Sequence, residues 1–191
     1  MTTSILPASD ATQTATWTID AGHSVAEFAA KHMMITTVKG RVADVRGTVT
    51  LDEAEPDRSA VEVELEAASI DTRSGQRDAH LRSADFLDVE RFPLITFRSR
   101  RVEGAAPVEG ARFRVVGDLT IRGVTREVAL DATYEGRGRD PWGGERVSFG
   151  ATTSIDRRDF GLTWNAALEA GGVLVGNDVR LTLEVQAVRG G

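Results

Sequence analysis

The stretch AVEVELEA, residues 60–67, alternates apolar and acidic side chains, and this alternation is the clearest indication of the fold. Val61, Val63 and Leu65 fall on one face of an extended strand, and the glutamates between and after them fall on the other. Successive side chains of a β-strand point to opposite faces of the sheet, so the pattern predicts a strand with one buried face and one wet face. Such strands are typical of antiparallel sheets.

The same two-residue period recurs along most of the chain. It is clearest in EVALDATY (127–134), ERVSFGATTSI (145–155) and DVRLTLEVQA (178–187), and weaker repeats bring the prediction to eight or nine strands. Turn-rich connections join these segments, without the helix-length crossovers that parallel pairing needs. Because closure removes exposed edge strands, we expect an all-β fold, an extended antiparallel up-and-down barrel of eight strands with a short helix between strands.

Length and composition limit the classes of protein to which this chain can belong. Its 191 residues carry a net charge of −6, which disfavours nucleic acid and anionic membrane surfaces as nonspecific partners, and the absence of cysteine excludes disulfides and thiolate chemistry. We expect a flexible tail over residues 1–15 and one barrel domain over residues 16–191. With neither a secretion signal nor a membrane-spanning run in the sequence, we expect a cytoplasmic protein with no stable membrane insertion.

Small side chains on the predicted inward faces favour a cavity over a solid core. Ala26, Ala30 and Gly47 would leave volume unfilled inside an eight-stranded barrel, and an apolar void loses its dispersion contacts unless a guest fills it. In the alternative interpretation, aromatic side chains such as Phe113 close the core. The residues expected to line the lumen and to bind an apolar guest are Ala26, Phe28, Ala30, His32, Val45, Val49, Phe97, Phe149, Leu162 and Trp164.

Two segments interrupt the strand pattern. In RDAHLRSADFLDVERFP (77–93), residues 79–86 suit a short helix, followed by a turn that Pro93 ends. Residues 159–178 form a long apolar loop that is flexible at Gly171, Gly172 and Gly176, typical of a lid or a binding loop. Three interpretations remain open for the first segment, namely a structural helix exterior, a clamp for a ligand head group at the barrel mouth, and an acid-base site. The side chains concerned are Arg77, His80, Arg82 and Asp85.

Chemical motifs give little support to catalysis or to metal binding. His23, His32 and His80 lack the spacing of a metal site, and Ser24 points away from His23 in an extended strand. The sequence has no P-loop, no nucleotide-binding glycine pattern and no nucleophile-elbow motif. We therefore expect no catalytic residue, no metal and no cofactor.

Six segments, in this order, resemble the YceI family of lipocalin-like polyisoprenoid-binding proteins. They are WTIDAGHSVAEFAAKHM (17–33), GRVADVRGTV (40–49), DTRSGQRDAHLRSADFLDVERFPLITFRS (71–99), VVGDLTIRGVTREVAL (115–130), IDRRDFGLTW (155–164) and GGVLVGNDVRLTLEV (171–185). The family's motif residues match His23, Ser24, Phe28, His32, Asp71, Arg77, His80, Leu81, Arg82, Asp85, Phe86, Phe92, Pro93 and Phe97. This chain departs from the pattern at Val42 and Val45, where family members often carry phenylalanine.

The resemblance implies a lipocalin-like barrel whose lumen holds a long apolar chain such as a polyisoprenoid, a quinone-like lipid or a fatty-acyl lipid. It brings no catalytic residues, and it makes a homodimer plausible. Many family members are exported, whereas we expect this chain to stay in the cytoplasm. The leading hypothesis is non-catalytic binding, transport or sequestration of such a lipid. The alternatives are an enzyme acting on the lipid, with His80 or His32 as general acid or base, and a stress-linked interaction module.

Overall fold

The computed structural model describes residues 14–190, which form strands joined by short turns and one α-helix. The strands are β1 (Thr14–Ile19), β2 (Val25–His32), β3 (Thr36–Val42), β4 (Val45–Asp52), β5 (Ala60–Glu66), β6 (Ile70–Asp71), β7 (Leu94–Glu103), β8 (Arg112–Ile121), β9 (Val124–Arg139), β10 (Glu145–Asp156) and β11 (Val175–Arg189). The α-helix α1 is Gly75–Arg82, and the 3-10 helices are Ala21–His23, Pro56–Arg58, Ala67–Ser69 and Arg157–Phe160. The predicted tail lies mostly outside the described residues, but its last two, Thr14 and Ala15, belong to β1.

Eight strands close into a barrel in the order β1, β4, β5, β7, β8, β9, β10, β11, because β1 pairs with both β4 and β11. All of these pairings are antiparallel. Residues 175–184 of β11 pair with β2, which pairs in turn with β3, and β3 pairs with β6. β1 and β2 pair one after the other with the same edge of β11. In the next row of the sheet, β4 pairs with β1 and β3 pairs with β2. β1 with β2, and β3 with β4, therefore each act as one long strand with a single break. The predicted eight-stranded antiparallel barrel is confirmed.

The two-residue alternation determines which side chains enter the barrel. In β5, Val61, Val63 and Leu65 line the interior, while Glu62 and Glu64 on the opposite face are exposed. β9, β10 and β11 follow the same rule, with apolar side chains inward at every second position. This agreement follows from strand geometry, since a wall with water on one side buries only alternate residues.

Gly47 lies in the inward row of β4, opposite Val63 of β5. Its φ of +154° belongs to the region that favours glycine, and a Cβ there would lie 2.0 Å from the carbonyl oxygen of Glu62. The close approach of β5 to β4 therefore requires glycine at this position.

The helix α1 lies one turn earlier in the chain than the sequence predicts, over residues 75–82 and not 79–86. It ends at Arg82, so Ala84 and Phe86 lie beyond it, in the turns that lead to β7. The chain folds back under the helix at that point, and the backbone N–H groups of Leu87 and Val89 donate to the carbonyls of Leu81 and Arg82. These donors satisfy carbonyls that a helix end leaves without partners, which stops the helix one turn early.

Candidate functional site

An apolar cavity of about 620 Å³ occupies the interior of the barrel. This volume is typical of pockets that hold one small or elongated ligand. Eight of the ten residues predicted to line the lumen do so, namely Ala26, Phe28, Ala30, Val45, Val49, Phe97, Phe149 and Leu162. Val42 and Val45, the two valines that depart from the family pattern, also face the cavity. Phe113 and Phe149 line the wall with their rings 6.2 Å apart and leave the core unfilled.

The two ends of the cavity differ in their exposure to solvent. At one end, which we call the closed end, α1 and residues 157–174 cover the lumen. Its lining residues there are buried, and they include Ile70, Phe86, Leu87, Ile121 and Leu162. At the opposite end, which we call the open end, residues 52–60 and 104–111 form the rim, and the exposed lining residues are Glu53, Ala60, Pro107 and Arg137. A ligand therefore has its shortest route into the cavity at the open end.

Polar groups at the open end are few and are arranged around Arg137. Its guanidinium donates to Glu53 and to Glu145, at 2.8 Å in both cases, and its carbon lies 5.0 Å from the centre of the Trp17 ring. Hydrogen bonds from Arg189 and Arg137 hold the pKa of Glu145 at about 2. Tyr134 also lines the cavity here, and burial raises the pKa of its phenol. The rim can thus meet a polar head group, while the lumen beyond it is lined mainly by apolar side chains, with Arg157 at the closed end.

The sequence of this barrel is similar to that of a known protein family. The model of the YceI-like domain matches residues 17–187, which is nearly the whole of the described barrel. The chain belongs to the YceI-like family. It is 39% identical over 167 residues to a UPF0312 protein of Serratia proteamaculans, covering 87% of this chain and 82% of that one. It is 40% identical over 141 residues to Protein YceI of Salmonella newport, covering 74% and 72% of the two chains.

Solved structures share the fold of this YceI-like chain. A YCEI protein of Campylobacter jejuni superposes with a TM-score of 0.69 at 29% identity, over 84% of this chain and 90% of that one. BcnA of Burkholderia cenocepacia gives a TM-score of 0.75 at 21% identity, over 88% and 99%. A polyisoprenoid binding domain from Saccharophagus degradans gives 0.69 at 14% identity, over 91% and 98%. The last two likenesses concern the fold alone.

The charged segment 77–93 of this YceI-like chain closes one end of the barrel. Leu81, Phe86 and Leu87 line the cavity, as expected for a plug. Arg77 donates to the side-chain and backbone oxygens of Thr72, at 2.7 and 2.8 Å, and Arg82 donates to backbone carbonyls, including that of Ala68. The four residues predicted for a head group, Arg77, His80, Arg82 and Asp85, do not line the cavity. Arg77 and Arg82 fasten the segment, because they donate to Thr72 and to the carbonyls of Ala68 and Ile70 and not to the lumen, while His80 pairs with Asp85.

Two of the residues predicted to line the lumen lie elsewhere. His32 is the last residue of β2, where the strand extends past the cavity, and it is half-buried. Trp164 packs behind the plug, with its ring centre 4.6 Å from that of His80 and 5.3 Å from that of Phe86. Nε2 of His80 lies 2.9 Å from Asp85 Oδ2, so the imidazole is held between a carboxylate and two aromatic rings.

Arg157 is the residue of the site that sequence reasoning missed. It is buried, lines the closed end, and donates to the carbonyls of Gly176, Leu162, Trp164 and Val175 and to the side chain of Asn177. Burial lowers its pKa, and no carboxylate within residues 14–190 forms an ion pair with it. One guanidinium therefore holds the long loop of residues 161–174 against β11. In the sequence, the one indication of a buried arginine was its position close to the apolar Phe160 and Leu162.

The described part of the chain offers no cluster for a metal ion. Within residues 14–190, no three His, Cys, Asp or Glu side chains lie close enough to hold one. His23 is exposed, with Nδ1 2.9 Å from Asp20 Oδ2. No helix in this range is long and apolar enough to cross a bilayer.

Proposed function

We propose that this YceI-like protein binds a long-chain apolar amphiphile in its barrel and carries or sequesters it without chemical change. The observation that carries the proposal is the 620 Å³ apolar cavity, which extends from the rim at Glu53 and Arg137 to the plug at Phe86 and Leu87. A polyisoprenoid, a quinone-like lipid or a fatty-acyl lipid has the shape and the apolar surface that such a lumen accepts. The polyisoprenoid binding domain with the same fold supports this class of ligand.

The geometry supports an orientation with the tail inside and the head group at the open end. Burial of apolar surface stabilises a complex by about 25 cal/mol per Å², so a long tail supplies the main driving force before association costs are subtracted. The head group would lie beside Tyr134 and Arg137, which can supply a hydroxyl and a cation. The histidines do not face this space, so binding needs none of them.

The proposal is tested by lipid uptake with a matched pair of variants. Ala30 faces the lumen, whereas the adjacent Ala29 faces outward, so Ala30→Phe fills the cavity and Ala29→Phe does not. Each purified protein is incubated with palmitate and, separately, with a polyprenyl phosphate, and native mass spectrometry counts the bound lipid. We expect one lipid per barrel in the unmodified protein and in Ala29→Phe, and a severalfold lower occupancy in Ala30→Phe. Uptake that is absent, or equal in the two variants, would overturn the proposal.

A further inference from the structure

The hairpin that joins β2 to β3 ends in three consecutive apolar residues that project into solvent. Met33, Met34 and Ile35 are 41%, 59% and 76% exposed. Among residues 14–190, the other large apolar side chains with this exposure, Val108 and Trp142, stand singly. An isolated exposed apolar residue is ordinary on a protein surface, but a contiguous group at a loop tip indicates contact with another apolar phase.

The backbone of this tip is unfavourable for the residues that occupy it. The turn is closed by the N–H of Ile35 donating to the carbonyl of His32 at 3.1 Å. Its central residues, Met33 and Met34, have φ values of 51° and 60°. Turns of this kind favour Asn followed by Gly, because a side chain with a Cβ is strained at positive φ. Local stability alone would not place two exposed methionines here, so their presence points to a role outside the fold.

Three exposed cations lie on the strands behind the tip. The sequence has only two lysines, Lys31 and Lys39, and both lie exposed on the strands of this hairpin. Arg180 of β11 lies in the same row, since Ala29 is opposite both Lys39 and Arg180. Within the described chain these three cations form no ion pair, whereas Arg41 in the next row pairs with Asp71 at 3.3 Å. A protein of net charge −6 thus carries a positive patch, formed by these three cations, on the strands that lead to this apolar tip, with Asp178 as an exposed acid on the same strand as Arg180.

We infer that the β2–β3 hairpin docks this protein onto a bilayer that contains anionic lipids. Met33, Met34 and Ile35 would enter the boundary between head groups and acyl chains, and Lys31, Lys39 and Arg180 would lie against the lipid phosphates. Apolar insertion flanked by cations is the pattern of reversible peripheral binding, and the hairpin is too short to span a bilayer. The inference goes beyond lipid carriage and does not depend on what the lumen holds.

Flotation with lipid vesicles tests the inference, using two variants of the tip. Lys31→Glu with Lys39→Glu reverses the patch, and its control, Arg112→Glu with Arg126→Glu, makes the same change of charge at exposed arginines of β8 and β9. Met33→Asn with Met34→Gly installs the residues that the turn favours. Its control is Val108→Ser with Trp142→Ser. Vesicles of phosphatidylcholine are compared with vesicles that also contain phosphatidylglycerol, at low and at high salt.

We expect the unmodified protein and both controls to float with the anionic vesicles at low salt and to be released at high salt. Both tip variants should lose this binding severalfold, and Met33→Asn with Met34→Gly should at the same time melt at a higher temperature. Opposite changes in binding and stability rule out unfolding as the cause. Flotation that is absent, or equal in tip variants and controls, would overturn the inference. So would a dimer that forms without vesicles and disappears in the methionine variant, because the tip would then contact protein.

Discussion

The guanidinium of Arg137 on β9 lies 2.8 Å from the carboxylate of Glu53, a residue of the loop between β4 and β5. Both side chains line the open end of the cavity, so this ion pair joins opposite parts of the rim. The two partners are 84 positions apart in the sequence. Because the pair is partly exposed to water, it can open and close without great cost to the fold.

Glu53→Gln should speed lipid exchange with little change in stability. The substitution removes the charge that holds Arg137 across the rim, while an exposed pair contributes less than about 1 kcal/mol to the free energy of unfolding. The measurement is the rate at which a fluorescent fatty acid leaves the loaded protein for phosphatidylcholine vesicles. Glu55→Gln is the control, since Glu55 pairs with Arg58 and does not line the cavity. Equal rates in the two variants would show that the pair does not restrict the opening.

Acid should destabilise the barrel only at low pH. Three carboxyls have a pKa of about 2, mainly because each accepts a hydrogen bond from an arginine. The pairs are Asp20 with Arg146, Glu145 with Arg189, and Asp156 with Arg158. A carboxyl whose pKa is lowered on folding contributes stability above its unfolded pKa and loses it as the pH falls towards the folded value. We expect a melting temperature that is constant near neutral pH and falls between about pH 4 and pH 2.

Glu145→Gln should weaken this dependence on acid, because it removes one of the three carboxyls. The check is a series of thermal melts followed by circular dichroism. A decline that begins near pH 6 would contradict the account, since these three carboxyls do not titrate there.

Arg157→Lys should destabilise the closed end by about 2–4 kcal/mol. Lysine offers three donors where the guanidinium makes five contacts, so buried carbonyls of the loop lose their partners. Arg158→Lys is the control, because Arg158 is exposed and its pairing with Asp156 in water contributes little to stability. Chemical denaturation gives both values. Equal losses would mean that the loop does not depend on Arg157.

His80→Ala should lower stability and leave lipid uptake unchanged. The imidazole packs edge-on against Phe86 and Trp164, and such aromatic contacts contribute about 0.5–1.5 kcal/mol each. Since His80 does not line the cavity, occupancy by palmitate should match that of the unmodified protein. Loss of a chemical conversion of bound lipid, with binding intact, would instead support the enzyme hypothesis.

The strands could be predicted because they depend on local pattern. AVEVELEA reads as a strand from its own residues, and the barrel wall keeps that alternation. The end of α1 could not be predicted, since it depends on Leu87 and Val89 returning to donate to the helix carbonyls. The need for glycine at position 47 likewise depends on how closely β5 approaches β4.

The cavity wall was predictable in part, and its polar groups were not. Alternation identifies Ala26, Phe28 and Val49 as inward. It cannot show where a strand extends beyond the end of the cavity, as β2 does at His32. Arg137 and Arg157 acquire their roles from partners brought together by strand register and loop folding. A prediction that uses only neighbouring residues contains no information on strand register or on loop folding.

The most direct test of the account is a crystal structure of the protein purified from cells without added lipid. The account predicts elongated electron density inside the barrel, running from the rim at Tyr134 and Arg137 to the plug at Phe86, with its polar end at the rim. A lumen that contains only ordered water, or that side chains such as Phe113 and Phe149 close, would contradict it.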